Sequence, residues 1–138
     1  MELSRSFQVR CSRDEAVERL AREDLIRDLL PGDTELVASK GERRTTRTRY
    51  VALGVESVVT FHFTTLIDGN LRFEKECDGR VWRELRGAVE IEDDGDGARV
   101  ELSLKGRTKA LVPEFTIKAP MEAQIEQMVE ALARFLDA

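Results

Sequence analysis

The stretch "APMEAQIEQMVEALARFLDA", residues 119–138, decides how the rest of the chain must be arranged. At 100° per residue, Met121, Ile125, Met128, Leu132 and Phe135, with Ile117 just ahead of them, fall within one narrow stripe. Glu126, Glu130, Arg134 and Asp137 lie opposite. The pattern predicts a long amphipathic helix with one buried face. Pro120 suits its first turn, because a proline there lacks only an N–H that would be free in any case. Such a helix needs an apolar surface to lie across.

Residues 33–111 supply that surface. They show no helical stripe, and turn signals at "KGE", "LG", "DGN", "DG" and "DDGDG" divide them into segments of strand length. The expected strands are 33–40, 43–52, 55–66, 71–77, 80–92 and 98–111, and their short connections make neighbours antiparallel. Residues 3–11 alternate as well, with Leu3, Phe7, Val9 and Cys11 on one face and Ser4, Ser6, Gln8 and Arg10 on the other, which makes seven strands. Between the first strand and the second the period changes. Ser12 and Glu15 form an S-x-x-E capping box ahead of Val17, Leu20 and Ala21. After a polar break at "RED", Leu25, Ile26, Leu29 and Leu30 form a second cluster that Pro31-Gly32 stops. Two short helices meeting at a bend are expected, and the class is α+β.

Register assigns the faces. A tight turn at Leu53-Gly54 places Arg44, Thr46, Thr48, Tyr50, Ser57, Val59, Phe61 and Phe63 on one side of the hairpin, and the phenylalanines mark it as the buried side. Arg43, Arg47, Arg49, Glu56, Val58, Thr60 and His62 then face outward as a charged strand surface. A loop over Asp94–Gly97 pairs Gly87, Val89 and Ile91 with Leu104, Leu102 and Val100 on a buried side. The same alternation carries Val81, Arg83 and Leu85 inward and leaves Trp82, Glu84 and Arg86 outside. At the 71–77 strand a two-residue Asp78-Gly79 turn would bury Glu74 and Glu76. A three-residue turn, preferred because burying carboxylates is costly, turns in Leu71, Phe73 and Lys75.

At 138 residues, with 41% apolar and 36% charged residues, the chain is expected to form a single domain over 1–138 with one core. A formal net charge of -5 speaks against nucleic acid, since phosphate neutralisation needs a concentrated excess of Lys and Arg. No apolar run approaches the ~20 residues of a membrane span, and the opening residues have no signal-peptide core, so a cytoplasmic location is expected. Cys11 and Cys77 are too few for a disulfide framework and lack CxxC spacing, and read as small buried hydrophobes.

The order of elements resembles the helix-grip fold of the START, Bet v 1 and polyketide cyclase (SRPBCC) superfamily over the whole chain. The likeness is carried by "FQVRCSRDEAVERLAREDLI", a strand feeding a capped helix; by "LRGAVEIEDDGDGARVELSL", a glycine-containing strand, acidic turn and following strand; and by "VPEFTIKAPMEAQIEQMVEALARFL", similar to that fold's closing strand and helix. The resemblance implies a curved seven-stranded sheet wrapped around the C-terminal helix, with a cavity between them that takes a small hydrophobic ligand such as a lipid, quinone or polyketide. Carried onto this sequence, the lining is Thr48, Tyr50, Val59, Phe61, Phe63, Phe73, Arg83, Leu85, Val89 and Leu102, facing Met121, Ile125 and Met128. Arg83 would hold an acidic head group by paired hydrogen bonds, and the methionines would adapt to ligand shape.

Two other readings follow from the same residues. In a polyketide cyclase-like enzyme, Arg83, Tyr50 or an inward Glu74 or Glu76 would move protons. In an interaction domain the core would be filled and the outer arginines 43, 47 and 49 would meet a protein partner. Nothing in the sequence identifies a catalytic residue, a cofactor or a particular protein partner. His62 is the sole histidine and falls on the outer face, which excludes multi-histidine metal sites and removes the base of a serine triad. The acidic turn "EDDGDGARVELS" has Ser103 where a calcium loop needs its bidentate Glu, and it reads as a hairpin. No GxGxxG or P-loop is present.

Overall fold

The computed structural model describes residues 1–138 except Pro31, Leu53, Asp78, Gly79 and Ala138, and of Ala52 and Val55 the backbone alone. Strand β1 (Glu2–Val9) leads into helices α1 (Arg13–Leu20) and α2 (Glu23–Leu29). Six strands follow: β2 (Asp33–Lys40), β3 (Arg43–Ala52), β4 (Val55–Thr65), β5 (Leu71–Lys75), β6 (Trp82–Asp94) and β7 (Gly97–Thr108). A 3-10 turn at Glu114–Thr116 precedes helix α3 (Lys118–Leu136). All seven strands form one antiparallel sheet in the order β1-β7-β6-β5-β4-β3-β2. This is the helix-grip architecture expected from the sequence.

Local chemistry accounts for the elements. Ser12 caps α1, its hydroxyl accepting from the Glu15 N–H at 3.2 Å. The break between α1 and α2 falls at Ala21–Arg22, where Arg22 takes an extended conformation. The β3–β4 ladder runs in the expected register, with Arg47 opposite Thr60 and Tyr50 opposite Ser57, and Gly54 adopts a φ of 74° in its turn. Pro31 in the stop of α2, Leu53 in that turn and the Asp78-Gly79 turn lie outside the described residues. On β5, Leu71 and Phe73 are buried while Glu74 and Glu76 are exposed, so the carboxylates stay in water.

Three sequence expectations are corrected. The β6 alternation breaks at Arg83: Trp82 pairs with Thr108 but Glu84 with Arg107, so Arg83 is the extra residue of a β-bulge. A bulge shifts the phase of everything before it, so Trp82 turns inward and is buried while Arg83 is exposed. The final strand stops at Thr108, and a loop with exposed Leu111 and Phe115 replaces its expected end. Helix α3 begins at Lys118, so Pro120 is the third helical residue, and the first α-helical bond runs from Met121 N–H to Ile117 O at 3.0 Å.

The core lies between the sheet and the three helices. Helix α3 packs on β1, β7 and both short helices, and buries Met121, Ile125, Met128, Leu132 and also Leu136, with Phe135 half-buried beneath the Arg22 guanidinium. Its C-terminal end is held by polar contacts. Arg19 donates to the Leu136 carbonyl, and the Arg10 N–H donates to Asp137 at 2.8 Å.

Candidate ligand-binding cavity

The interface between α3 and the sheet divides into a solid half and a hollow half. In the solid half the Phe61, Phe63 and Phe73 rings cluster with centroids 5.6–6.3 Å apart. Gly87 makes this possible: a Cβ there would lie 2.2 Å from Phe73 Cζ, so the ring occupies the space a side chain would need. Phe63, Val89, Leu102, Ile125 and Met128 are at most 1% exposed. These residues, with Phe73, were expected to face a ligand. The structure makes them packed core, because the ring cluster and the leucines of β5 and β7 fill the space beneath α3.

The hollow half lies toward the end of the sheet where β3 and β7 finish and β4 and β6 begin. A cavity of about 580 Å³ opens there between the first turns of α3 and the sheet. Of the expected lining it contains Thr48, Tyr50, Val59, Phe61, Leu85 and Met121. Leu30, Gly32, Arg49, Val51, Lys75, Trp82 and Gln124 complete the wall. Tyr50 and Val51, 37% and 73% exposed, form its rim, so the space is an open-mouthed pocket.

Each wall has a local cause. The Trp82 ring lies over Gly106, where a Cβ would come within 2.7 Å of its Cζ3 atom. The bulge at Arg83 and the missing side chain at Gly106 together seat the indole inside. Leu30 and Gly32 close the side near α2. Gly32, at φ 109°, backs onto the Arg49 carbonyl, 2.7 Å from where a Cβ would stand. The Thr48 hydroxyl is turned to Thr34, 2.7 Å away on β2, which satisfies it without a guest. Lys75 reaches the cavity from the inward phase of β5, opposite Phe61.

Arg83 takes no part in this wall, because the bulge that brings Trp82 in sends it out. Among the described strand arginines, Arg44 and Arg5 lie on the inward side, Arg44 with its Nε 3.9 Å from Glu23 of α2 and Arg5 with its Nε 2.6 Å from Glu126 of α3. On the outer face Arg47 and Arg49 stand opposite Glu35 and Asp33 of β2, and Arg47 lies 3.9 Å from Glu35. His62 is also outside, its Nδ1 bonded to the Thr45 hydroxyl at 2.8 Å and its Nε2 3.9 Å from Glu76. The Trp82 signal was present in the sequence: Trp82 and Leu85, three apart with two charged residues between them, fit a strand only if one residue is inserted. Gln124 is one helical turn from Met121, on the near flank of the stripe.

No protein-family model and no curated protein matches this chain. Solved structures do. The Zhui aromatase/cyclase from Streptomyces sp. R1128 superposes with a TM-score of 0.74 at 15% identity, covering 99% of this chain and 90% of that one. Ara h 8.0201 gives 0.75 at 12% identity, covering 99% and 97%. A STAR-related lipid transfer protein fragment from Xanthomonas axonopodis gives 0.68 at 16% identity, covering 99% and 86%. The chain therefore has the helix-grip fold that START proteins, Bet v 1-type allergens and aromatase/cyclases share. At these identities the likeness is one of fold.

Proposed function

We propose that this protein binds a small, largely apolar molecule in the pocket between the N-terminal part of α3 and the sheet. The observation that carries the reading is the 580 Å³ cavity walled by Phe61, Trp82, Leu85 and Met121, a volume in the range that small-molecule sites occupy. Burying guest surface there yields about 25 cal/mol per Å². The fold neighbours named for lipid transfer and for aromatase/cyclase activity are consistent with a guest of lipid or polyketide type. No described helix is long and apolar enough to cross a membrane.

The other two readings lose support. A filled core does not fit a hollow of this size. A cyclase that uses Arg83, Glu74 or Glu76 has those three groups exposed and away from the cavity. Tyr50 alone of that set remains at the rim.

Trp82 is the sole tryptophan and lines the cavity, so its emission reports occupancy directly. Saturable change of Trp82 fluorescence on titration with medium-chain fatty acids, alcohols or quinones is the expected result, matched by a 1:1 adduct in native mass spectrometry. A sample whose emission and mass respond to none of them refutes the reading.

A further inference from the structure

We propose that the guest is an anion, an apolar molecule ending in a carboxylate that the Lys75 ammonium holds. This rests on the cavity being a ligand site and specifies what that site selects. The described lining includes two cationic residues, Arg49 and Lys75, and no Asp or Glu. Arg49 is exposed and sits on the outward phase of β3, opposite Asp33. Lys75 is different. It continues the inward series Leu71, Phe73, Lys75, of which the first two are buried core, and it is itself half-buried.

Among the described residues the Lys75 ammonium makes no hydrogen bond and no ion pair within 4 Å. Its sequence neighbours Glu74 and Glu76 are turned to the outer face, with Glu76 beside His62. Glu76 and Glu56, the latter on the outward phase of β4, line with Arg80 an adjoining depression that shares Tyr50, Val59 and Lys75 with the cavity, and among the described residues neither carboxylate is within 4 Å of the Lys75 ammonium. A cation is thus held at a wall made otherwise of Phe61, Trp82, Leu85 and Met121.

A neutral guest would strip water from that ammonium and give nothing back, and a desolvated charge without a partner is costly. A carboxylate guest supplies the missing partner through a charge-assisted hydrogen bond. The Tyr50 hydroxyl, the Gln124 amide and the Trp82 indole N–H, all on the lining, are further donors for its second oxygen. This donor set matches a singly charged head. A doubly charged phosphate is better matched by two or more cations, and of the two on the lining Lys75 alone sits on the inward phase of its strand.

The test is a matched pair of probes with one tail and two heads, decanoate and decanol, titrated against Trp82 emission at about pH 7, where the acid is ionised. Wild-type protein is expected to bind decanoate about tenfold more tightly than decanol. Lys75→Met should bring the two within about threefold by weakening decanoate while decanol binds as tightly or more tightly, and Lys75→Arg should restore the preference. Unchanged far-UV circular dichroism, with decanol binding no weaker than in wild type, shows that the fold and the pocket survive Lys75→Met. Equal binding of both probes by wild-type protein, or a carboxylate preference that persists in Lys75→Met, overturns the assignment while leaving the cavity as a ligand site. Binding of neither probe overturns both.

Discussion

The Trp82 indole lies directly over Gly106, its Cζ3 atom 2.7 Å from where a Cβ on that glycine would stand. One wall of the cavity therefore depends on an absent side chain. The Glu84 carbonyl is 2.8 Å from the same point, and backbone cannot step aside as a flexible side chain can. Gly106→Ala is expected to destabilise the protein by about 1–3 kcal/mol through overpacking and to shift Trp82 emission to the red as the ring is pushed toward the mouth. Urea denaturation and an emission spectrum check both. An unmoved spectrum with unchanged stability would show that the ring does not rest on Gly106.

The bulge at Arg83 separates position from side chain. Arg83→Ala removes only an exposed side chain and should change stability by no more than about 0.5 kcal/mol. Deleting Arg83 removes the inserted residue while Trp82 stays opposite Thr108 and Glu84 opposite Arg107, so Trp82 and Leu85 become two apart and share the inward face of a regular strand. The deletion is expected to leave Trp82 inside, with quenching by iodide or acrylamide no stronger than in wild type or Arg83→Ala; strong quenching would show that Arg83 is not the inserted residue.

Met121 and Met128 stand two turns apart on α3 yet have different surroundings. Met128 is fully buried in the solid half, whereas Met121, 6% exposed, borders the cavity. Met128→Ala should cost about 2–5 kcal/mol, the usual penalty for a cavity opened in a packed core. Met121→Ala should cost roughly half as much, because one side of that side chain already lacks packing partners. It should also change the affinity of any bound guest, which Met128→Ala should alter little. Chemical denaturation of both variants, with Trp82 titrations of each, gives the comparison.

Burial pushes the Cys11 thiol above its ordinary range; the Arg19 guanidinium works against this, while Asp137 and Glu15 add to it. The fold therefore favours the neutral thiol. The associated stability is fully present below the unfolded-state thiol pKa of about 8.5 and is lost as pH rises through the higher folded-state value. The expected outcome is slower alkylation of Cys11 than of a model thiol at about pH 8, read by peptide mass mapping. Between about pH 8 and 10 wild-type stability should fall more than that of Cys11→Ala.

The sequence allowed the fold to be read because its three strongest signals were local and mutually consistent. The α3 stripe, the Ser12 cap and the hairpin turns each named an element and its neighbour. The β3–β4 faces could be assigned because Phe61 and Phe63 leave only one side to bury. The cavity was harder to read, because alternation tells which side of a strand faces in and says nothing about whether the space opposite is full. Phe63, Phe73, Val89, Leu102, Ile125 and Met128 do face inward, but into solid packing. Arg83 and Trp82 exchanged places because one inserted residue reverses the parity on which the argument depends. Lys75 was placed inward by the cost of burying Glu74 and Glu76, but that its ammonium pairs with no acid among the described residues became visible only in three dimensions.

The division of the α3 interface into a solid half and a hollow half separates two demands that most small proteins must meet with the same side chains. From Ile125 onward the helix anchors the molecule, and substitutions there threaten the whole structure. Around Met121, Gln124 and Trp82 a change of size or polarity touches few neighbours, so selectivity could be rewritten at one end while the other keeps the chain folded. Substitutions around the hollow end could therefore accumulate in single steps without passing through unfolded intermediates.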